Sequence, residues 1–181
     1  MSASTPVQET LSLEGADPGH FLVMYDDALA HDRAMEICNR VIDHFGVELA
    51  FAFSFWKFKD LEDPAMAHWA AEAVARADII LFSLPARDLS QQLASWLETC
   101  ARVRTKANGA LAVAIMEPHD QILVMETLLT RLQFIAKRMR MDFLPLLPLT
   151  AGAGHEKPAD SFANWLSEDR EETGSHWGLN E

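Results

Sequence analysis

The sequence predicts an α/β protein, a three-layer sandwich in which a five-stranded parallel sheet of order 2-1-3-4-5 carries helices on both faces. Short apolar runs alternate along the chain with segments of helical periodicity, which favours parallel strands joined by right-handed crossover helices. Residues 79–84 are apolar at successive positions, as a strand covered on both faces must be. Pro85 ends that run, and an amphipathic helix follows it.

The first half of the domain supplies two strands and two helices. Residues 20–25 form the first predicted strand. The second, residues 47–58, alternates large apolar with small or polar side chains, so we expect it to be half exposed at an edge. Asp63 and Pro64 are a cap and a first-turn proline that begin the second helix. The first helix has an apolar stripe at helical spacing: Ala34, Ile37, Cys38, Val41, Ile42 and Phe45.

The second half adds three strands and two helices. Residues 79–84 lead into a third helix capped by Asp88 or Ser90, and the next strand spans residues 110–116. A last strand is predicted over residues 143–149, where two prolines confine it to an edge. The second and fifth strands therefore lie at edges, while the others are continuously apolar. The order 2-1-3-4-5 satisfies this pattern.

The two ends of the chain differ from this core. Residues 1–19 are polar, acidic and without periodicity, so we predict a disordered lead before a domain that spans residues 20–150. Residues 151–181 follow as a flexible connector, a short helix and a tail. One domain is the default for a chain of 181 residues. Cys38 and Cys100 fall on the apolar sides of predicted helices, which favours two reduced, buried thiols.

The charge balance excludes several classes of partner. With 15 basic and 27 acidic residues the net charge is −12, which repels phosphate backbones and anionic membranes. The sequence therefore predicts neither nucleic-acid nor membrane binding, and because it shows no secretory leader we expect a cytoplasmic protein. Arg102, Arg104 and Lys106 come at the end of the third helix, where we expect them to complement its dipole.

The candidate site is the carboxyl edge of the predicted sheet, because ligands of such sheets bind beyond the strand ends, near the switch between the first and third strands. Residues 26–33 (DDALAHDR) lack the glycines and hydroxyls that let backbone N–H groups close on a phosphate, so we predict no cofactor. Asp26 and Asp27 either cap the first helix or ligate a divalent cation, and no metal site is predicted. The candidate ligand mouth comprises Tyr25, Asp26, Asp27, Ser83, Arg87, Glu117 and His119.

One resemblance rests on residues 77–100 (ADIILFSLPARDLSQQLASWLETC), which are similar to the corresponding segment of NADPH-dependent FMN reductases. The order of elements also resembles the flavodoxin-like superfamily. This resemblance implies an FMN-dependent NAD(P)H oxidoreductase. Those reductases carry a Gly/Ser/Arg-rich first loop for the flavin phosphate, whereas residues 25–33 of this chain (YDDALAHDR) match it only at Arg33.

A second resemblance is to response-regulator receiver domains, which share this strand order and carry an acidic pair after the first strand, as Asp26 and Asp27 do. Their phosphoacceptor aspartate is not matched, because residues 82–84 (FSL) occupy that region. Their lysine after the last strand is also absent from residues 144–154 (LPLLPLTAGAG). Phosphotransfer is therefore not expected. The ending HWGLNE resembles that of an uncharacterised bacterial family.

These observations favour a non-catalytic interaction or regulatory module that lacks a flavin-phosphate loop, with an FMN-dependent oxidoreductase as the alternative. No Ser/His/Asp or Cys/His signature points to nucleophilic catalysis. Aromatic side chains crowd the second predicted strand, and an exposed aromatic edge would need a cover. We therefore predict a protein partner or a homo-oligomer, a homodimer among the options, that covers this edge: Phe51, Phe53, Phe55, Trp56 and Phe58.

Overall fold

The structure is a computed structural model that describes residues 9–10, 17–45, 50–116 and 122–146. Within these residues one sheet has six strands: β1 (Glu9–Thr10), β2 (Gly19–Tyr25), β3 (Phe51–Lys57), β4 (Ile79–Pro85), β5 (Ala110–Met116) and β6 (Asp142–Leu146). Their spatial order is β1-β3-β2-β4-β5-β6, with β1 antiparallel to β3 and the other neighbours parallel. Counted from β2, the five parallel strands have the predicted order 2-1-3-4-5.

The described residues also form four α-helices: α1 (Ala28–Phe45), α2 (Pro64–Arg76), α3 (Gln91–Val103) and α4 (Ile122–Arg138). A 3₁₀ turn at Phe58–Glu62 precedes α2. The predicted cap of α2 is confirmed, because the Asp63 carboxylate accepts hydrogen bonds from the backbone N–H groups of Ala65 and Met66. Between the two candidate caps of α3, the structure selects Ser90, whose hydroxyl accepts from Leu93 at 3.2 Å.

The core lies on both faces of the sheet, so the predicted three-layer arrangement is confirmed. Side chains alternate between faces along each strand. Met24 and Phe82 pack with α2, α3 and α4, whereas Val23 and Leu81 pack with α1. The predicted stripe of α1 is buried as expected, with Ile42 partly buried at its margin. Apolar residues of the central strands therefore form the core on each face of the sheet. Polar residues lie at the ends of these strands.

At the chain's beginning the structure differs from the prediction. Glu9 and Thr10, which the sequence places in a disordered lead, form β1, with Glu9 opposite Phe53 and Thr10 opposite Ala52. A strand of two residues carries no periodicity by which it could be found. Residues 1–8 and 11–16 lie outside the described part of the chain. The predicted connector, short helix and tail of residues 151–181 also lie outside it.

The aromatic side chains of β3 point inward, which removes the basis for predicting association through this strand. Phe51 and Phe53 are buried on the α1 face, where the Phe53 ring lies 4.9 Å from the ring of Phe21. Trp56 is buried on the opposite face. The sequence showed the alternation of this strand but not the helix that covers its apolar side. The aromatic edge is therefore part of the core.

Two further sequence features can be located. Cys38 and Cys100 are buried and unpaired, as predicted, and burial raises the pKa of each thiol to about 12. Both thiols stay protonated and unreactive at neutral pH. None of the described helices is long and apolar enough to cross a membrane.

Candidate functional site

The carboxyl ends of β2 and β4 lie side by side at the centre of the sheet. Tyr25 of β2 is opposite Ser83 of β4, and Lys57 of β3 is opposite Tyr25 on the other side. The backbone N–H of Asp26 donates to the carbonyl of Ser83 at 3.2 Å, which extends the pairing into the loop after β2. The topology thus brings together the first-strand and third-strand residues of the predicted mouth.

An ion pair joins the two loops of this mouth. Asp26 Oδ1 lies 2.6 Å from Arg87 Nη2, and the Arg87 backbone N–H donates to the carbonyl of Pro85 in a tight turn. The Arg87 side chain is 64% exposed and that of Asp26 is 20% exposed. Water screens such a pair, so its contribution to stability is small. Its structural effect is that the Asp26 carboxylate and the Arg87 guanidinium engage one another across the mouth.

Asp27 is turned away from Asp26, toward the beginning of α1. Its Oδ1 accepts a hydrogen bond from the backbone N–H of Ala30 at 2.9 Å, and its carbonyl accepts from His31 at 2.9 Å. This is the geometry of a helix cap, and the carboxylate also complements the positive end of the helix dipole. The two adjacent aspartates therefore have different partners, an arginine for one and a helix end for the other.

Tyr25 closes the α1 side of the mouth. Its ring meets the His31 ring edge-on at 4.8 Å, and the His31 ring lies 5.8 Å from that of Phe55. Burial raises the pKa of the Tyr25 phenol, and the nearby charge of Asp60 raises it further. The phenol therefore keeps its proton at neutral pH and can donate a hydrogen bond.

Ser83 is fully buried, and its Oγ has no hydrogen-bond partner within the described part of the chain. Because Ser83 is in register with Tyr25 and Ala114, its side chain lies on the α1 face of the sheet. An unpartnered buried hydroxyl costs on the order of 1–3 kcal/mol. The mouth thus carries one polar group whose hydrogen-bonding capacity the residues described by the structure do not use.

The rest of the predicted mouth cannot be placed, because Glu117 and His119 lie outside the described residues. Across the described ranges, no three His, Cys, Asp or Glu side chains come close enough together to hold a metal ion.

Neither a protein-family model nor a curated protein sequence matches the chain. Solved structures do. An oxidoreductase from Corynebacterium diphtheriae superposes with a TM-score of 0.59 at 12% identity, covering 83% of this chain and 98% of its own. A short-chain flavodoxin associated with a PDU bacterial microcompartment is also similar, with a TM-score of 0.52 and 11% identity over 84% of this chain and 99% of its own. The fold is flavodoxin-like.

Sequence reasoning missed a second polar cluster, at the amino edge of this flavodoxin-like sheet. The buried Arg104 guanidinium donates from Nη1 to the Val74 carbonyl at 2.6 Å and from Nη2 to the Asn108 carbonyl at 3.0 Å. Lys106 Nζ lies 2.5 Å from Asp78 Oδ1. The expectation that Arg104 and Lys106 complement the dipole of α3 was wrong, because both side chains reach the carboxyl end of α2 instead.

The turn before β5 lies beside this cluster and depends on a glycine. Asn108 and Gly109 both have positive φ, 69° and 111°. A Cβ added at Gly109 would lie 2.3 Å from the backbone carbonyl oxygen of Asp78, so only glycine fits there. In the sequence, the adjacent Asn108 and Gly109 predict a turn at this position. They do not reveal that a buried arginine lies beside it.

Proposed function

We propose that this chain is a non-catalytic interaction or regulatory module, built on a flavodoxin-like sheet that does not hold a flavin. The single observation that carries the proposal is the position of the Asp27 carboxylate. A phosphate bound after the first parallel strand would accept hydrogen bonds from the first turn of the following helix. At the beginning of α1 the Asp27 carboxylate already accepts from Ala30 at 2.9 Å.

The electrostatics of the same loop support this proposal. A flavin phosphate carries about two negative charges, and each carboxylate about 4 Å away would cost on the order of 4 kcal/mol at an effective dielectric constant of 20. Two arginines near this loop are already paired with carboxylates of the chain. Arg87 is paired with Asp26 at 2.6 Å, and Arg33 is paired with Glu36 along α1 at 2.7 Å. The residues present therefore do not fit a flavin phosphate.

The alternative is an FMN-dependent NAD(P)H oxidoreductase. Two similar solved structures, an oxidoreductase and a short-chain flavodoxin, suggest it. One observation within the chain favours it, namely the unpartnered Ser83 hydroxyl beneath the mouth, which a polar ligand group could satisfy after a local rearrangement.

A titration of FMN against the full-length protein separates the two functions. We expect a colourless preparation and no quenching of flavin fluorescence up to about 100 µM FMN, a range in which a weak site would be detected. The double variant Asp26→Asn with Asp27→Ser removes two charges but keeps a capping side chain, so it should bind FMN more tightly than the natural chain.

The matched control for this titration is Asp43→Asn with Glu72→Gln. It changes the net charge by the same amount at exposed positions on α1 and α2. If the control gains FMN affinity equally, the effect is one of total charge and the role assigned to Asp27 is wrong. Micromolar binding of FMN by the natural chain, or a yellow preparation, would replace the proposed function by the oxidoreductase.

A further inference from the structure

The outward side of α4 carries an apolar stripe that does not contribute to the core formed by the described residues. Leu123 is 79% exposed and Phe134 is 59% exposed, and the exposed Thr127 and Thr130 lie between them. Steps of four, three and four residues place these four side chains along one side of the helix. The opposite side packs onto the core with its own buried set, Leu128, Leu132, Ile135 and Ala136. We call the exposed set the α4 stripe.

The two threonines of the α4 stripe need no polar partner from outside. The Thr127 hydroxyl donates to the carbonyl of Leu123 at 2.9 Å, and the Thr130 hydroxyl donates to the carbonyl of Glu126 at 2.8 Å. With both hydroxyls bonded within the helix, another apolar surface can cover these residues without leaving a buried donor unpaired. The stripe is thus continuous and ready to be desolvated.

We propose that the α4 stripe is where a second copy of this chain docks, with the two α4 helices antiparallel across a two-fold axis. This inference rests on the proposed function of an interaction module, and it names both the surface and the partner. An isologous contact requires a patch that is complementary to itself. The stripe meets this requirement because its steps of four, three and four residues are the same from either end of the helix. The stripe can therefore align with an antiparallel copy of itself.

In the antiparallel arrangement each large side chain meets a large one. Leu123 of one copy comes opposite Phe134 of the other, and Thr127 comes opposite Thr130 next to the two-fold axis. On one flank Glu126 lies near Gln133 of the other helix, within reach of a side-chain hydrogen bond. A parallel pairing would instead stack each residue on its own copy. The antiparallel pairing therefore fills the space between the helices more evenly.

The distribution of charge favours the same surface. Each copy carries a net charge of −12, so two copies repel one another through most of their surfaces. The exposed part of α4 is close to neutral, because the positive charges of Arg131, Lys137 and Arg138 are largely offset by Glu126 and Glu98. Arg138 is paired with Glu98 of its own chain and covers the Phe134 ring at 5.9 Å. Long-range repulsion is therefore weakest where these helices meet, and added salt should strengthen the association.

The size of the stripe sets the strength to expect. Leu123 and Phe134 are 11 residues apart, or about 16 Å along the helix. One helix face of this length buries less area than a permanent dimer, so we expect reversible association that is lost on dilution.

Sedimentation velocity of the full-length protein at about 1 µM and about 500 µM tests the association. At the higher concentration the mass should approach twice the chain mass of 20.2 kDa, and more so at high salt. Phe134→Lys should return it to the mass of one chain, since it places a charge in the contact. The control, Leu29→Lys, changes a side chain that is 61% exposed on α1 and should leave the association unchanged.

Cysteine cross-linking tests the antiparallel arrangement. The double variant Leu123→Cys with Phe134→Cys should form a covalent dimer under mild oxidation, whereas each single variant should not. In the single variants the two new cysteines lie about 16 Å apart along the axis, beyond the Cα separation of about 7 Å that a disulfide spans. The native cysteines do not interfere, because they are buried with pKa values of about 12.

Each outcome separates this inference from the proposed function. A single-chain mass at both concentrations, or a dimer that Phe134→Lys leaves intact, overturns the inference, and the FMN titration then stands by itself. If Phe134→Lys lowers the melting temperature, Leu123→Lys and the cross-linking pattern decide instead. Covalent dimers from both single variants would overturn the antiparallel arrangement. Tight FMN binding by a protein that also dimerises as described would overturn the proposed function and leave the surface in place.

Discussion

At the amino edge of the sheet a buried arginine is bonded to the backbone of two segments, whereas at the carboxyl edge the ion pair between the loops has an exposed arginine. Arg104 is buried and donates to carbonyls of two segments, and Asp78 accepts from the backbone N–H of His20 at 2.9 Å. Asp26 and Arg87 form a single contact between two loops. The amino edge therefore ties several elements together, and the carboxyl edge can change without disturbing the fold.

The largest effect should come from Gly109→Ala at the amino edge. The new Cβ would meet the Asp78 carbonyl oxygen at 2.3 Å, and the positive φ of 111° disfavours any side chain. We expect a loss of about 3 kcal/mol or more in the free energy of unfolding, measured by urea denaturation. Asn108→Gly is the control, since it relaxes a positive φ one residue earlier and should be neutral or slightly stabilising.

If Gly109→Ala left the free energy of unfolding unchanged, the turn before β5 would be able to shift away from Asp78. The amino edge would then be no more rigid than the carboxyl edge, and the comparison would fail.

A smaller effect is expected for Arg104→Met, which keeps the length of the side chain but removes the donors to Val74 and Asn108. The buried carbonyl of Val74 and the part-buried carbonyl of Asn108 would lose their partners, at a cost of about 2 kcal/mol. Arg102→Met is the matched control, because Arg102 is exposed at the end of the same helix and its loss should change stability by less than about 0.5 kcal/mol. If both substitutions lowered the free energy of unfolding equally, the loss would come from removing a charge and not from losing the hydrogen bonds of Arg104.

The smallest effect is expected at the carboxyl edge, for Asp26→Asn. The substitution breaks the pair with the exposed Arg87, and such pairs contribute about 0.5 kcal/mol. The difference from the natural chain should shrink further at high salt. Asp88→Asn, at an exposed position in the loop after β4, controls for the change in net charge. A loss comparable to that of Arg104→Met would show that both edges are structural.

Much of the fold could be predicted because the central strands leave a clear mark. β4 and β5 are buried along almost their whole length, and burial on both faces demands the continuous apolar runs that the sequence displays. β1 could not be predicted, since two residues show no period. The inward orientation of the β3 aromatics was missed for a different reason, because a pattern within one strand does not tell which face a later helix covers.

The candidate site could be predicted only as a location. Strand order alone brings Tyr25, Asp26 and Ser83 to one edge. The partners of the two aspartates could not be predicted, because their spacing allows a cap, a cation site or an ion pair equally well. The choice is made by the tight turn after β4, which carries Arg87 to Asp26, and by the direction in which α1 leaves the sheet. Both are tertiary effects.

The two-residue strand β1 has a consequence for how the chain behaves in concentrated solution. Phe51–Lys57 is a run of high β-propensity with three phenylalanines and a tryptophan, and its outer N–H and C=O groups face away from β2. Segments of this kind stack into cross-β aggregates when such an edge is open. By pairing with Phe53 and Ala52, Glu9 and Thr10 occupy part of that edge. Two residues of the predicted disordered lead thus cover part of the edge of an aggregation-prone strand.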